Sequence, residues 1–250
     1  MTLTKQIAEI AKSRAGALTV ADLCVGVGYT GVKLSDGSGG VCYTFRNALG
    51  PTCGVLKNAG SLIGLPAQEV LDWADESNLA QAAVGVAAIN AILNQRFEAG
   101  ANIVQAVSCT DEQVVGMVGD FCPLVGKFQN AKELYIFDRE AEKRPGRQVI
   151  LPEEKEEELL PQCDLVVLTG TSFINKTADH VLDLCRRAKE IIIVGASTPM
   201  CPEVLGGCGV TALAGTRITD ADAALRIVAQ GGGGMDFSRV SLKLFERIAP

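Results

Sequence analysis

Residues 164–200 read DLVVLTGTSFINKTADHVLDLCRRAKEIIIVGASTPM and contain one pattern twice. The apolar run 165–168 stops at Thr-Gly-Thr-Ser (169–172), and the apolar run 191–194 stops at Gly-Ala-Ser-Thr (195–198). Apolar residues at helical spacing lie between the two runs. Short, wholly apolar strands separated by a helix are typical of a parallel sheet that is covered on both faces. We therefore expect a ligand to bind at the carboxyl ends of these strands.

Further apolar runs in the second half of the chain end in the same way. They are 114–118 before Gly119-Asp120, 134–137 before Asp138, and 211–214 before Gly215-Thr216. The carboxyl ends of parallel strands lie on one edge, so the pattern predicts an α/β fold with a doubly wound parallel sheet and a binding crevice at that edge. Glycines let a ligand approach the backbone, and hydroxyls and free N–H groups favour anions. The alternative is that the glycines only form turns and that Ser, Thr and Asn only cap helices.

The first hundred residues have a different pattern, in which a helix and three short strands precede two further helices. We predict a smaller α+β domain over residues 1–105 and the doubly wound α/β domain over residues 106–250. Residues 26–31, GVGYTG, match the dinucleotide-binding fingerprint, but no helical pattern follows them. We therefore interpret this stretch as a glycine-rich hairpin, with Tyr29 and Thr30 at a tip that could reach the other domain.

Composition and charge exclude several classes of protein. The formal net charge is −6 and Lys and Arg form no cluster, so we expect no nucleic-acid partner. The N-terminal stretch lacks the apolar core of a signal peptide, and the longest apolar window, 82–93, is too short to cross a bilayer. We therefore expect a cytoplasmic protein with no membrane partner. The alanine-rich stretch 79–93 can pack within the chain or across a homodimer, and the sequence leaves both open.

The residues available for chemistry are few. The nine cysteines include no Cys-x-x-Cys pair, and their apolar surroundings favour free buried thiols in a reducing compartment over a thiolate metal site. The single histidine, His180, is interpreted as a surface or structural helical residue. No Gly-x-Ser-x-Gly, Walker or His-Glu-x-x-His motif is present. The remaining carboxylates, hydroxyls, Tyr29, Lys176 and thiols suit metal coordination or anion binding better than acyl transfer.

Three further stretches carry expectations about local structure. The acidic run 153–158 predicts a solvated helix face with favourable charges near its N-terminus. Residues 219–229 predict a helix that Thr219 or Asp220 caps and that four glycines end. The tail 237–248 is amphipathic and fits either a helix or an edge strand, of which we favour the helix.

Five motifs, in order along nearly the whole chain, resemble the heavy-metal chelation family of uncharacterised prokaryotic proteins. They are Gly26-Val27-Gly28-Tyr29-Thr30, VGVAAINA (84–91), GMVG (116–119) with Pro123-Leu124, LTGT (168–171) with Asn175-Lys176-Thr177, and GASTP (195–199). The resemblance implies an enolase-N-terminal-like domain, then a Rossmann-like domain, with a site between them for a metal or metal-bearing small molecule. It also implies a link to anaerobic cobalamin-type cofactor metabolism. No cofactor follows from the residues, and the resemblance points to a transition metal ion.

The strand ends and the resemblance together give one set of candidate ligand-binding residues. They are Gly28, Tyr29, Thr30, Asn90, Gly119, Asp138, Thr169, Gly170, Thr171, Asn175, Gly195, Ser197 and Thr198. Asp138 stands where we expect a longer acid in this family, and Ala196 stands where proline is common.

Three functions stay open at this point, and neither a catalytic residue nor a metal ligand is assigned. The chain binds a metal or metal-bearing small molecule between its domains, or it is an enzyme acting on a nucleotide-like or phosphorylated ligand at the strand ends. The third alternative is a non-catalytic carrier or sensor whose domains close on a ligand.

Overall fold

The computed structural model describes residues 1–50, 54–138 and 150–249, so Cys53, one of the nine cysteines, lies outside the described residues. The helices are α1 (Leu3–Ala15), α2 (Ala67–Asp72), α3 (Leu79–Leu93), α4 (Ile103–Ala106), α5 (Cys122–Val125), α6 (Glu156–Leu159), α7 (Ala178–Leu184), α8 (Pro202–Leu205) and α9 (Ala221–Ala229). The strands are β1 (Val20–Val25), β2 (Tyr29–Leu34), β3 (Gly39–Tyr43), β4 (Val114–Val118), β5 (Glu133–Phe137), β6 (Ile150–Leu151), β7 (Leu165–Thr169), β8 (Glu190–Val194), β9 (Ala212–Ala214), β10 (Thr216–Ile218), β11 (Ser241–Lys243) and β12 (Glu246–Arg247).

The strands β1, β2 and β3 form an antiparallel meander, as the sequence predicts. The Gly26 N–H donates to the Tyr29 carbonyl over 2.9 Å, which closes the β1–β2 hairpin and confirms that residues 26–31 open no helix. The meander lies between α3 and α9. Glycine is required on both faces, because a Cβ on Gly40 would lie 2.1 Å from the Ala87 carbonyl of α3 and one on Gly26 would lie 2.3 Å from the Val228 carbonyl of α9.

The large sheet has the order β12-β9-β8-β7-β4-β5-β6, and all its strands except β12 are parallel. The chain runs outward from β4 through β5 to β6, returns to β7 beside β4, and continues outward to β9. This is the strand order of doubly wound dinucleotide-binding sheets, which bind ligands where the direction of winding reverses. The predicted α/β class is thus confirmed, and the reversal lies between β4 and β7.

The alanine-rich helix α3 is buried on nearly every side. Its small side chains pack within the chain against β2, β3, α1 and α2. Of the two packing arrangements that the sequence leaves open for this helix, the structure shows the intrachain one. Asn78 caps the helix, because its side-chain oxygen accepts the N–H groups of Ala80 and Gln81.

The C-terminal tail forms strands, so the helix that we favoured there is wrong. β11 pairs with β10, and β12 adds an antiparallel edge strand to β9. Between them Leu244 and Gly215 exchange two backbone hydrogen bonds of 3.0 and 3.2 Å. The open edge of β9 offers unpaired backbone groups, and pairing with them outweighs the helical propensity of a short segment. The helix α9 before the tail begins at its Asp220 cap, as predicted.

Candidate functional site

A cavity of about 560 Å³ opens at the carboxyl ends of β4, β5 and β7, where the winding of the sheet reverses. The front of the chain contributes Tyr29, Tyr43, Phe45, Asn47 and Ala48 to its lining. The large sheet and its turns contribute Val118, Gly119, Asp120, Phe121, Phe137, Asp138, Glu153, Glu156, Thr169, Thr171, Asn175 and Thr177. A volume of this size is typical of small-molecule sites rather than of a bare ion.

The turn after β7 presents hydroxyl and amide groups to the cavity. The Thr169 Oγ1 accepts the Thr171 N–H and lies 3.0 Å from the Thr171 Oγ1. Four residues after Thr171, the Asn175 Oδ1 accepts hydrogen bonds from both the backbone N–H and the hydroxyl of Thr177. Because its oxygen is engaged in this way, the Asn175 amide has its N–H groups left to offer to a ligand.

Lys176, between two cavity-lining residues, has the left-handed backbone conformation that non-glycine residues rarely adopt (φ 66°). Its ammonium donates a hydrogen bond to the Ala74 carbonyl in the segment after α2. Burial lowers the pKa of Lys176, against the opposing influence of Asp75 and Glu76. The left-handed residue turns the backbone sharply, and its side chain ties the turn to the front of the chain.

The turn after β4 needs a glycine at position 119. The φ of Gly119 is 95°, and a Cβ there would lie 3.1 Å from the Thr169 Cβ. This conformation lets Asp120 follow the strand directly into the cavity wall. Asp120 also lines the cavity, whereas the candidate residues predicted from the sequence include only its neighbour Gly119.

Carboxylates dominate the charge of the described lining. Asp120, Asp138, Glu153 and Glu156 line the cavity, and the described lining includes no Lys, Arg or His. Glu156 is only 6% exposed. The prediction of a wholly solvated acidic face over 153–158 is therefore wrong for this residue. Glu153 and Glu156 are three residues apart and share one side of the helical turn, whereas Glu154, Glu157 and Glu158 are exposed.

Aromatic rings form the wall that the front of the chain contributes. Tyr43 packs edge-to-face against Tyr29 at 6.2 Å between centroids and against Phe45 at 5.2 Å. Tyr29 also packs against Phe237 at 5.1 Å. Burial raises the pKa of the Tyr29 phenol, so this hydroxyl is a neutral donor at physiological pH. Aromatic residues in strands are commonly core residues, and no sequence pattern marks Tyr43 and Phe45 as residues that line a cavity.

The predicted site residues fall into two groups. Those that line the cavity are Tyr29, Gly119, Asp138, Thr169, Thr171 and Asn175. Those that do not line it are Gly28, Thr30, Asn90, Gly170, Gly195, Ser197 and Thr198.

The residues of the second group form contacts between different segments of the chain. Thr30 is buried, and its hydroxyl bonds to that of Thr44 at 2.9 Å. The Gly28 carbonyl accepts the Thr44 N–H, and the Asn90 amide donates to the carbonyls of Val41 and Ala196.

The turn after β8 is buried by the same contacts. The Ser197 Oγ accepts the Tyr43 N–H at 2.9 Å, and the Thr198 carbonyl accepts the Asn94 amide at 3.1 Å. A Cβ on Gly170 would lie 2.6 Å from the Thr198 N, so Gly170 lets this turn approach β7. Gly195 adopts a φ of 118° where the turn begins. This strand end is therefore occupied by the protein itself.

The described residues offer no ready-made metal centre. Within residues 1–50, 54–138 and 150–249, no three His, Cys, Asp or Glu side chains are grouped so as to hold an ion. Of the eight described cysteines, Cys42, Cys163, Cys185 and Cys201 are buried, and none of the eight forms a disulfide with another.

Comparison with known proteins gives the family. A model of the DUF4213 family matches residues 8–93, and a model of the DUF364 family matches residues 102–246; both carry the description "Putative heavy-metal chelation". An uncharacterised protein of Methanocaldococcus jannaschii is 32% identical over 182 residues, which cover 70% of each chain. The chain belongs to this heavy-metal chelation family.

Solved structures of family members have the same fold. A DUF364-family protein of unknown function from Pyrococcus horikoshii aligns with a TM-score of 0.83 and 26% identity over 99% of this chain and 100% of that one. A second, from Desulfitobacterium hafniense, aligns with a TM-score of 0.77 and 24% identity over 97% and 98% of the two chains. Among the described residues of the present family member, no helix is long and apolar enough to cross a bilayer.

Proposed function

We propose that this member of the heavy-metal chelation family binds a metal-bearing small molecule in the strand-end cavity. The observation that carries the proposal is the combination of four carboxylates and five aromatic rings around one cavity of about 560 Å³. Carboxylates stabilise a positively charged centre, and aromatic walls accommodate an organic framework. The description of the family as heavy-metal chelation is the reason for proposing that the molecule bears a metal.

A molecule that already carries its metal fits the cavity better than a bare ion does. The volume exceeds what one ion with its water shell occupies, and no three-ligand group is present among the described residues. In this proposal the small molecule supplies most metal ligands, and Asp120 or Asp138 adds a single oxygen or acts through charge alone. The metal is thus bound indirectly, and the protein recognises the small molecule that coordinates it.

The remaining details belong to the same proposal. The cavity lies between the domains that we assign to residues 1–105 and 106–250, the first resembling the enolase N-terminal domain and the second Rossmann-like. The family resemblance extends the proposal to anaerobic cobalamin-type cofactor metabolism. The bound molecule is either chemically changed or only carried. Its mass after incubation with the protein, compared with its mass before, distinguishes the two.

The test is retention of defined probes in equilibrium dialysis, with the metal quantified by mass spectrometry. The probes are Co²⁺, Ni²⁺, Fe²⁺ and Zn²⁺ alone, each ion complexed with triethylenetetramine, and cobinamide. We expect a complexed metal to be retained near one equivalent and the free ions to be retained less. Asp138→Asn should weaken retention by at least about tenfold, since a carboxylate bond to a charged group contributes about 1.5–3 kcal/mol. Asp111→Asn, in an exposed loop, is the control. Failure of every probe to reach stoichiometric binding would refute the proposal.

A second candidate is an enzyme that binds a nucleoside-like ligand, and Asp138 favours it. In doubly wound sheets of this strand order, an acid about 20 residues beyond the first glycine turn binds the ribose hydroxyls. Asp138 directly follows β5, the second strand of the large sheet in chain order, and lines the cavity, and Gly119 marks that first turn. The ribose hydroxyls, and not a phosphate, are the groups that such an acid binds. Binding of adenosine in preference to 2′-deoxyadenosine would support this candidate, and loss of that preference in Asp138→Asn would confirm the role of the acid.

A further inference from the structure

The Asn175 side chain, which lines the cavity, is held in one orientation by its neighbour Thr177. The Asn175 Oδ1 accepts the Thr177 N–H at 3.3 Å and the Thr177 hydroxyl at 2.9 Å. If the amide were rotated by a half-turn, its N–H groups would face the Thr177 N–H, and donors would meet donors. The two hydrogen bonds therefore fix the oxygen towards Thr177 and the nitrogen on the other side of the amide group.

The Asn175 Nδ2 is accessible and has no partner in the part of the chain that the structure describes. No other described residue bonds to this nitrogen. Among the described side chains that are not fully exposed, the polar atoms that are both buried and unpartnered are the Asn90 Oδ1 and the Thr198 Oγ1. The Asn175 Nδ2 is therefore not buried. Since Asn175 lines the cavity, its two N–H groups can bond to a molecule there.

The same turn carries one further donor. The Asn175 N–H donates to the Thr171 carbonyl at 3.3 Å, which joins Asn175 to the threonines before it. The hydroxyls of Thr169 and Thr171, which also line the cavity, lie 3.0 Å apart, so one donates its hydrogen to the other. The bond between the two hydroxyls uses only one of their two hydrogens. The second hydrogen is left for an acceptor outside the pair.

The turn that carries these donors is anchored before any ligand binds. Lys176 adopts the left-handed backbone conformation between Asn175 and Thr177, and its ammonium donates to the Ala74 carbonyl in the front of the chain. Donors that are already held in place lose little conformational freedom when an acceptor arrives. A fixed donor also discriminates between ligands, because a second donor in the same position leaves both groups unsatisfied.

We propose that Asn175 determines the specificity of the cavity by donating hydrogen bonds to an sp² oxygen of the ligand, from a carboxylate or a carboxamide. A molecule that presents only N–H groups at this position is bound less tightly, because donors then face donors. This inference rests on the proposed function, namely that the cavity holds a metal-bearing small molecule. It names the chemical group by which Asn175 recognises that molecule.

The test compares two Co³⁺ complexes of similar size with different outer surfaces. Co³⁺–EDTA presents carboxylate oxygens, whereas tris(ethylenediamine) Co³⁺ presents only N–H and CH₂ groups. Both complexes exchange their ligands slowly, so the protein meets the intact complex. Equilibrium dialysis measures both affinities for wild type and for Asn175→Leu, which changes no charge. Asn175→Leu should weaken binding of Co³⁺–EDTA by at least about tenfold and binding of the amine complex by less than about twofold.

Two further variants keep the result interpretable. Asn130→Leu, at an exposed position, is the matched control and should change neither affinity. Circular dichroism establishes folding. If Asn175→Leu does not fold, Asn175→Ser takes its place, because a serine hydroxyl can accept the Thr177 N–H but lacks the amide donors. It should cause the same selective loss of Co³⁺–EDTA binding.

Equal losses for the two complexes in a folded Asn175 variant would show a structural role and overturn the inference. Unchanged affinity for Co³⁺–EDTA would overturn it as well. Retention of the amine complex by wild type without binding of Co³⁺–EDTA defeats this inference alone.

Metal-free probes separate the inference from the proposed function. They are tricarballylate and its triamide, followed by NMR titration, and the one that binds identifies the acceptor as carboxylate or carboxamide. Binding that is lost in Asn175→Leu, without retention of any metal complex, supports this inference and defeats the proposed function. If wild type binds neither of these probes nor Co³⁺–EDTA, the inference fails.

Discussion

Two turns of the large sheet are alike in sequence and differ in use. The turn after β7 reads Thr-Gly-Thr-Ser (169–172) and lines the cavity through Thr169 and Thr171. The turn after β8 reads Gly-Ala-Ser-Thr (195–198) and is covered by the front of the chain. Both are glycine-hydroxyl turns at the carboxyl ends of neighbouring parallel strands. We call them the cavity turn and the packed turn.

The difference arises from α3, which lies outside the sheet. Asn90 lies in α3 and Asn94 directly follows its last residue. The Asn90 amide bonds to the packed turn and to β3, and the Asn94 amide bonds to the packed turn and to β10. The backbone groups that a ligand would otherwise bind are thereby satisfied within the chain. A glycine-hydroxyl turn is thus a binding surface only when no other element of the protein bonds to it first.

The largest expected difference between the two sides is in thiol reactivity. Cys122 follows the turn after β4, on the cavity side, and is exposed, whereas Cys201 follows the packed turn and is fully buried. Burial raises the pKa of Cys201 to about 12, so at pH 8 about one thiol in ten thousand is ionised. We expect iodoacetamide to label Cys122 at least about a thousandfold faster than Cys201 in the native protein. Peptide mass spectrometry measures both rates.

Labelling in urea is the control, because both thiols should then react at similar rates. Comparable native rates at the two positions would mean that the packed turn opens readily. The two turns would then not differ in the way that we describe. Cys163 and Cys185, whose pKa values are each raised by burial to about 12, provide two further buried references.

Removing the Asn94 amide should cause the next largest effect, on stability. The Asn94 amide donates to the carbonyls of Thr198 and Thr216 at 3.1 and 3.0 Å, and its oxygen accepts the Met200 N–H at 2.9 Å. Asn94→Ala leaves three buried backbone groups unsatisfied, so we expect the free energy of unfolding to fall by about 3 kcal/mol. Urea denaturation measures the change. Asn130→Ala, at an exposed position, should change it by less than about 0.5 kcal/mol.

Two further substitutions, one in each turn, should have smaller effects on different quantities. The one in the packed turn should lower stability, and the one in the cavity turn should lower ligand retention. Ser197→Ala removes the acceptor of the Tyr43 N–H and should cost about 1 kcal/mol of stability without weakening retention of the metal–polyamine complexes. Thr171→Val keeps the shape of the side chain and should reduce retention about fivefold, with stability changed by less than about 0.5 kcal/mol. Urea denaturation and equilibrium dialysis on both variants measure the pair. If both variants lose retention equally, the packed turn also serves the ligand.

The sequence predicts the parts of this arrangement that depend on local patterns. Apolar runs of four or five residues gave the strands β4, β5, β7 and β8, and parallel pairing placed their ends on one edge. That inference brings Asp138 and Thr171 to one cavity although they lie on different strands. Periodicity and topology are enough for this step, because a strand without alternation needs cover on both faces.

What the sequence does not predict depends on tertiary contacts. Ser197 and Thr198 carry the same signal as Thr171, and the positions of Tyr43, Asn90 and Asn94 decide that they are covered. Glu156 is hidden in an acidic run whose other members are mostly exposed, so composition favours the solvated interpretation. The tail pairs with β9 because an open strand edge is available there, which no property of the tail itself reveals.

The smallest expected effect is on the pH dependence of stability. It concerns the hydrogen bond from the Lys176 ammonium to the Ala74 carbonyl, which joins the cavity turn to the front of the chain. Burial lowers the pKa of Lys176 in the folded protein below its ordinary 10.5. Between that lowered pKa and 10.5, the unfolded chain binds more protons than the folded one, so the contribution of this group to stability rises with pH. Lys176→Met abolishes the contribution.

The measurement is the difference in unfolding free energy between wild type and Lys176→Met, followed from pH 8 towards 10.5. The subtraction removes the alkaline titration of buried Tyr and Cys residues, because they are common to both proteins. We expect wild type to gain on the variant as pH rises, whereas Lys132→Met, at an exposed lysine, should give no slope. A slope of the opposite sign would mean that the Lys176 ammonium is stabilised in the fold by Asp75 and Glu76. The cavity turn would then be held to the front of the chain by charge, while the packed turn is held by the neutral amides of Asn90 and Asn94.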